Sequence, residues 1–204
     1  MKRLRLTVQL LFTIVTNGYL YGFLSGKIYR GSLKYVCVPG LNCYSCPGAV
    51  AACPIGALQA LLNQQGLQVP FAALGFFFLL LGRFVCGWLC PFGLVQDLLH
   101  KIPVFKKRKR LPLHRVLKYG KYAVLILLVC AGSMFLWGGF AKFPAFCKYL
   151  CPSGTLLGAL PLLSANGALR GQAGGLFFWK LGVLLAIVLL SIKVYRPFCQ
   201  YLCP

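Results

Sequence analysis

Long apolar stretches, separated by short polar segments, run through the whole chain. Four of them approach the roughly 20 residues that a helix needs to cross the hydrocarbon core of a bilayer. These stretches are Leu6–Leu24, Phe71–Leu89, Tyr122–Phe140 and Leu176–Ile192. The pattern predicts an all-α, polytopic membrane protein with about four transmembrane helices. Basic residues precede the first stretch but no small-residue cleavage site follows it, so we interpret it as a retained anchor rather than a signal peptide.

The composition supports a membrane location. Of the 204 residues, 59% are hydrophobic, and Asp97 is the single acidic residue, which is more apolar surface than one soluble core of this size needs to bury. Two shorter apolar stretches, 55–62 and 153–163, follow Cys-Pro dipeptides and are interpreted as re-entrant or surface helices. We expect residues 1–204 to form a single membrane-integral domain.

The positive charge of the chain is unevenly distributed. The formal charge is +21, and with a cytoplasmic N terminus fourteen lysines and arginines lie inside and six outside, as the positive-inside bias requires. The sequence KKRKR at 106–110 would lie against anionic lipid headgroups. Because this run lies beside membrane spans, we expect membrane lipid as its partner and no nucleic acid. The expected location is the inner (cytoplasmic) membrane, with both termini in the cytoplasm.

Seven of the eleven cysteines form a repeated motif near the ends of the apolar stretches. CGWLCPFG (86–93), CKYLCPSG (147–154) and CQYLCP (199–204) share two cysteines four positions apart followed by proline, and CPIG (53–56) is a partial copy. The spacing places two thiols on one helical face, and the proline disfavours helical geometry at the preceding cysteine. Each motif therefore predicts a helix end that presents a pair of sulfur atoms.

Counting the membrane crossings divides these cysteines between two faces. The set on the cytoplasmic face, which can surround one centre, consists of Cys86, Cys90, Cys199 and Cys203. On the outer face we predict a centre held by Cys147 and Cys151 together with Cys46 and Cys53, because each of the last two precedes a proline. The remaining loop cysteines, Cys37 and Cys43, would then form a disulfide or help to hold a second centre.

Four cysteine thiolates are the usual ligands of a [4Fe-4S] cluster, and a C-x3-C-P ending occurs in bacterial ferredoxins. A cluster bound in this way is an anion. Arg83 and Arg196 each precede the first cysteine of a motif by three residues, about one helical turn, where each can offset the cluster charge. The sequence therefore predicts two [4Fe-4S] clusters, one at each membrane face, in a protein that transfers electrons.

Two other interpretations use the same cysteines. Four thiolates also bind structural zinc, which would make the protein a zinc-stapled membrane scaffold. Alternatively, the C-x2-C pair Cys43 and Cys46 and the other paired cysteines could pass disulfides across the membrane as a thiol-disulfide conduit.

The stretches CGWLCPFGLVQDLL, CKYLCPSG and YRPFCQYLCP give the chain a family resemblance. It resembles the membrane-integral 4Fe-4S binding proteins, which include the quinol-oxidising subunits of periplasmic nitrate reductase systems and the membrane part of nitrous oxide reductase regulators. The resemblance implies an electron-transfer component of an oxidoreductase system whose redox partners, on one or both faces, are a ferredoxin, a flavoprotein or a quinol. By position it implies ligation by Cys86, Cys90, Cys147, Cys151, Cys199 and Cys203.

The chain departs from the family pattern in two places. The cysteines at 37–53 differ from the usual subunits, so the resemblance does not assign the complete ligand set of the outer centre. Many relatives also continue into a ferredoxin-like soluble domain, and the resemblance leaves open whether one follows residue 204.

Overall fold

The computed structural model describes residues 2–29, 31, 33, 38, 40–43, 45–51, 53–56, 87–103, 114–131, 145–171 and 174–203. Most of this part of the chain is helical and it contains no β-strand, which confirms the predicted all-α class. In chain order the elements are α1 (Lys2–Thr16), α2 (Leu20–Ser25), α3 (Pro91–Lys101), α4 (His114–Leu117), α5 (Gly120–Val124), the π-helices π1 (Leu125–Ala131), π2 (Phe146–Leu150) and π3 (Gly154–Ala159), α6 (Leu160–Ala165), α7 (Gly167–Arg170), α8 (Gly175–Lys193) and α9 (Pro197–Tyr201).

The first predicted span is divided between two helices. Helix α1 ends at Thr16 and α2 begins at Leu20, where the apolar pattern predicts one continuous helix. Near the break, Thr13 and Thr16 donate side-chain hydrogen bonds to the carbonyls four residues earlier, at 2.7 and 2.8 Å. Such bonds compete with the regular backbone pattern and often bend helices. Hydropathy alone does not carry this information.

Helix α8 agrees with the fourth predicted span. Its 19 residues give a length of about 28 Å at 1.5 Å per residue. Within the described residues it is the one helix long and apolar enough to cross a membrane. Large apolar side chains, including Phe178, Leu185 and Leu189, are exposed on it. The predicted span 71–89 lies almost wholly outside the described residues and 122–140 is described only to residue 131, so the four-span arrangement stays a prediction.

One apolar core connects the loop after α2 with the helices that follow the cysteine motifs. Its buried residues are Leu41, Cys53, Ile55, Cys90, Phe92, Val129, Phe146, Cys151, Ile187 and Phe198. Cysteines that the crossing count assigns to opposite membrane faces therefore belong to the same core. These cysteines are closer together than the two ends of a complete membrane-spanning helix.

Candidate iron-sulfur centres

Four cysteines from three parts of the chain form what we call the first cysteine group: Cys43, Cys53, Cys147 and Cys151. Burial raises the pKa of the Cys147 thiol well above its usual value, and negative charge on the other three cysteines raises it further. Burial also raises the pKa of Cys151 to about 12, with a smaller contribution from Cys43. Thiols that affect one another in this way are near neighbours, and ionising them all without a compensating cation is unfavourable.

Asn42 holds the two loop members of this group in place. Its side-chain amide donates to the carbonyl oxygens of Thr16, at 3.3 Å, and Ala51, at 3.2 Å. The backbone carbonyl of Asn42 accepts a hydrogen bond from the backbone N–H of Cys53 at 3.1 Å. Because Asn42 also precedes Cys43 directly, one buried residue connects the end of α1 with both cysteines.

Close backbone approach is a second feature of the first group. A Cβ atom on Gly154 or Gly158 would lie 3.6 Å from the Cys43 Sγ. The Gly56 N–H donates to the Cys53 Sγ at 3.2 Å. Thr155 is fully buried, and its hydroxyl has no hydrogen-bond partner among the described residues. This site would suit a large anionic group whose sulfur atoms accept hydrogen bonds. The Gly56 N–H and the Thr155 hydroxyl are hydrogen-bond donors there, and the two glycines leave space.

Lys180 supplies a positive charge to the same place. A Cβ on Gly154 would lie 3.6 Å from the Lys180 Nζ, and the lysine charge opposes the rise in the pKa of both Cys147 and Cys151. Lys180 belongs to the apolar helix α8. A charged side chain within such a helix is costly unless it has a partner, and here the partners are cysteines.

What we call the second cysteine group is Cys90, which directly precedes α3, together with Cys199 within α9 and Cys203 just after it. Pro91 begins α3 directly after Cys90. The rings of Phe92 and Phe198 meet edge to face with their centroids 5.4 Å apart. One turn further along α3, the Gln96 Nε2 donates to the Cys199 Sγ at 3.3 Å. The same face of α3 therefore packs against α9 and provides a hydrogen bond to one of its cysteines.

An ion-pair network adjoins the second group. Asp97 accepts two hydrogen bonds from Arg196, and it also pairs with Arg5 from α1. Burial alone would lower the pKa of Arg196, but the hydrogen bonds and charge of Asp97 raise it above its usual value, with smaller contributions from Tyr195 and Cys199. The first partner of Arg196 is therefore a carboxylate. That Arg196 offsets cluster charge stays a prediction. Part of its own charge is already balanced by Asp97.

The other predicted site residues are placed as follows. Cys37, Arg83 and Cys86 lie outside the described residues. Cys46, predicted as an outer ligand, is buried with its Sγ 3.8 Å from the Asn17 Oδ1, while Cys43 is the loop cysteine that acts on both Cys147 and Cys151. In the described part of the chain, no three His, Cys, Asp or Glu side chains converge closely enough to hold a single metal ion.

Sequence reasoning missed three residues of the two sites. Gln96 and Asp97 lie within a motif used for the family resemblance, yet their contacts with Cys199 and Arg196 depend on tertiary packing. Lys180 carries a readable signal, because it is a charge inside an apolar stretch. Asp97 also carries one, as the single acid of a strongly basic chain.

Cysteines of both groups lie in or against the core of a helical chain, beside cations and N–H donors, as expected of the iron-sulfur electron-transfer class. The family described as "4Fe-4S binding domain" matches residues 51–69, 66–112, 122–164 and 176–204, which is more than half of the chain. The chain belongs to this family. The recurrence of the match follows the spacing of the cysteine motifs.

Curated relatives occur in the archaeon Methanocaldococcus jannaschii. One uncharacterized protein is 39% identical over 37% of this chain and 40% of its own length. A second uncharacterized protein is 32% identical over 62% of this chain and 46% of its own length. The chain thus spans less than half the length of these relatives. No solved structure matches it.

Proposed function

We propose that this protein transfers electrons across the inner membrane between two [4Fe-4S] clusters, one on each cysteine group. The observation that carries the proposal is the position of the groups along α8. Lys180, in the first half of the helix, acts on the first group, whereas the second group includes Cys199 and Cys203 of the segment that directly follows the helix. The hydrogen bonds of Leu41 to the Cys90 Sγ and to Ser153 keep the two groups closer together than the length of α8.

The ligand sets follow from this placement. The first cluster would be held by Cys43, Cys53, Cys147 and Cys151. The second would be held by Cys90, Cys199 and Cys203 together with Cys86, which the repeated motif supplies. A [4Fe-4S] cluster binds one cysteine at each iron atom, so its four ligands need not converge on one point, and when bound it exchanges a single electron.

The surrounding residues determine how readily each site accepts that electron. Lys180 beside the first group and Arg196 near Cys199 place positive charge close to the thiolates. Gly56 donates a hydrogen bond from its N–H to the Cys53 sulfur, and Gln96 donates one from its side-chain amide to the Cys199 sulfur. Both effects stabilise negative charge on the sulfur ligands, and burial in the core excludes water.

The proposed membrane arrangement has α8 as one span and four spans in total, with both termini in the cytoplasm. It rests on the charge distribution, on the length of α8 and on its exposed apolar side chains. The redox partners belong to the proposal as classes only: a ferredoxin, a flavoprotein or a quinol on one face, and an acceptor on the other. The likeness to quinol-oxidising subunits favours a quinol as electron donor.

Cluster analysis of single-cysteine variants tests the ligand sets. Anaerobically purified protein should be brown and contain about eight iron atoms for two clusters. Cys147→Ser should remove one EPR signal, Cys199→Ser the other, and Cys46→Ser neither. Loss of the same signal in Cys147→Ser and Cys199→Ser, or a colourless protein that binds zinc, would contradict the proposal.

Sealed vesicles test transfer across the membrane. A reductant that cannot cross the bilayer, added on one side, should reduce both clusters, as followed by absorbance and EPR. Reduction of only the cluster on the side of addition would show that the chain does not conduct electrons across the membrane.

The raised pKa of Cys147 and Cys151, two members of the first group, argues against a thiol-disulfide conduit. Thiolates are the reactive species in disulfide exchange, and relay cysteines have a lowered pKa. Burial instead raises the pKa of Cys147 and Cys151. These thiols are suited to ligating iron, which displaces the proton directly.

A further inference from the structure

The backbone of the loop after α2 lies between the two cysteine groups. The Leu41 N–H donates to the Cys90 Sγ, at 3.4 Å, and the Leu41 carbonyl accepts from the Ser153 Oγ, at 3.1 Å. Both hydrogen bonds are buried. Ser153 follows Cys151 by two residues, so a short series of bonds runs from a sulfur of the second group to the neighbourhood of the first.

The approach of this loop to Cys90 is close enough to favour glycine. A Cβ on Gly40 would lie 3.2 Å from both the Cys90 Cα and the Pro91 Cδ. Contacts of that length are tighter than ordinary van der Waals packing, and the Cα belongs to backbone that cannot rotate away. An alanine here would push Leu41 away from Cys90.

Buried contacts hold Leu41 and the residue after it in place. Leu41 is buried in the core between the two groups, and Asn42, which follows it, is held by the carbonyls of Thr16 and Ala51. Ser153 is fully buried. A buried backbone segment that is hydrogen-bonded on both sides holds what it connects at a short separation and replaces a through-space gap by bonds.

We propose that the Leu41 backbone is the bridge that couples the two iron-sulfur centres, with its N–H on Cys90 and its carbonyl on Ser153. This inference rests on the proposed function. One electron passes between the two sides, one centre being oxidised as the other is reduced, and no bond or proton changes. The bridge also sets the reduction potential of the Cys90 centre, because hydrogen bonds to ligand sulfur favour the reduced, more negative state.

Variants at Leu41 separate the N–H from the side chain. Leu41→Pro removes the donor to Cys90, whereas Leu41→Ile keeps it. In EPR redox titrations of the intact cluster-loaded protein, Leu41→Pro should lower the potential of the Cys90 centre and leave the other centre unchanged, and Leu41→Ile should match the parent protein. Equal shifts at both centres, or no shift with both clusters present, would overturn the assignment.

Ser153→Ala tests the second half of the bridge without disturbing the backbone. A photoreduced flavin supplies one electron per molecule, and freeze-quench EPR follows its exchange between the two signals. Exchange should slow severalfold in Ser153→Ala. The matched control is Ser164→Ala, whose exposed hydroxyl donates to the Pro161 carbonyl. A parent-like exchange rate in Ser153→Ala contradicts the bridge.

Gly40→Ala gives an independent distance measurement. It should weaken the magnetic interaction between the two reduced clusters, whereas Gly182→Ala, where a Cβ meets nothing within 4 Å, should not. Iron and sulfide content serves as the folding check for every variant. Absence of clusters in the parent protein would refute the proposed function, whereas two clusters with an unchanged interaction in Gly40→Ala would refute the bridge alone.

Discussion

Lys180 is the cation that acts on the first cysteine group. Its charge opposes the rise in the pKa of Cys147 and Cys151, and it comes from a helix that has no other charged residue before Lys193. Replacing it by a neutral residue of similar length removes a charge and little packing surface. Its effect is therefore measurable as an electrostatic one.

We expect Lys180→Met to lower the reduction potential of the first cluster, because a cation favours the state with the extra electron. A shift on the order of 59 mV would correspond to a tenfold change in the equilibrium constant of a one-electron couple. EPR-monitored titration measures it. Lys193→Met, at the opposite end of the same helix, is the control. An equal shift in the control would assign the effect to general surface charge.

The raised thiol pKa values predict a pH dependence of cluster assembly. With a pKa of about 12, Cys151 in the cluster-free protein keeps its proton at neutral pH, so cluster formation must release that proton. Apparent affinity should consequently rise with pH through the neutral range. Proton release in weakly buffered solution, followed with an indicator dye during reconstitution, measures this. No proton release would mean that the thiols are already ionised.

At the residue scale, the sequence predicted cysteine as the ligand type, and the individual ligands stay a prediction. The repeated C-x3-C-P motif identifies Cys147, Cys151 and Cys199 as candidates. The choice of Cys46 over Cys43 rested on the following proline, and the structure instead places Cys43 near Cys151. Loop cysteines lack helical periodicity, so their direction depends on contacts such as those of Asn42, which no local pattern encodes.

At the scale of elements, α3 connects the second cysteine group with the rest of the chain. One face bears Phe92, Gln96 and Asp97, which contact Phe198, Cys199 and Arg196 in turn. Near its C-terminal end, the His100 ring lies 3.3 Å from the Ser191 carbonyl of α8. Arg196 precedes α9 with φ +46°, a left-handed conformation that costs free energy in a residue other than glycine and that its contacts with Asp97 help to maintain.

The two arginines that contact Asp97 should contribute unequally to stability. The Arg196 side chain is 7% exposed and that of Arg5 is 32% exposed. Breaking a buried pair leaves an uncompensated charge, so Arg196→Gln should cost about 3–5 kcal/mol. Arg5→Gln should cost about 1 kcal/mol or less, since a more exposed pair is screened by solvent. Thermal unfolding in detergent measures both, and equal costs would contradict the network as described.

The hydropathy pattern predicted the all-α class and the position of α8. The apolar stretch Leu176–Ile192 corresponds closely to Gly175–Lys193. The hydropathy pattern did not predict the break between α1 and α2, because that break depends on hydroxyl groups that bond to backbone carbonyls within an apolar run. Hydropathy averages over such residues, and a threonine counts as nearly neutral whether it supports or bends the helix.

At the scale of the whole molecule, the exposed apolar face of α8 allows the proposed membrane span to be tested against a surface helix. Leu185 is 54% exposed, whereas its neighbour Leu184 is 5% exposed. In water, Leu185→Asp would be nearly neutral. In a bilayer it should cost about 2.5–3.5 kcal/mol at the helix centre.

We therefore expect Leu185→Asp to reduce the fraction of protein that resists carbonate extraction from membranes, and Leu185→Ala to leave it unchanged. Quantitative immunoblotting of the membrane and soluble fractions measures both. A Leu185→Asp variant that stays in the membrane fraction to the parent level would argue against α8 as a span.

The wide separation along the chain of the residues around each centre has a consequence for biogenesis. The first group draws on Cys43 and Cys151, and the second on Cys90 and Cys203, so neither set of cysteines is complete until more than 100 residues have been synthesised after its first member. In the proposed membrane arrangement, cluster delivery would follow membrane insertion, and the scaffold or carrier that delivers the clusters would act on a chain already embedded in lipid. The metal-free protein, in which burial raises the pKa of Cys147 and Cys151, is the substrate on which that maturation machinery would work.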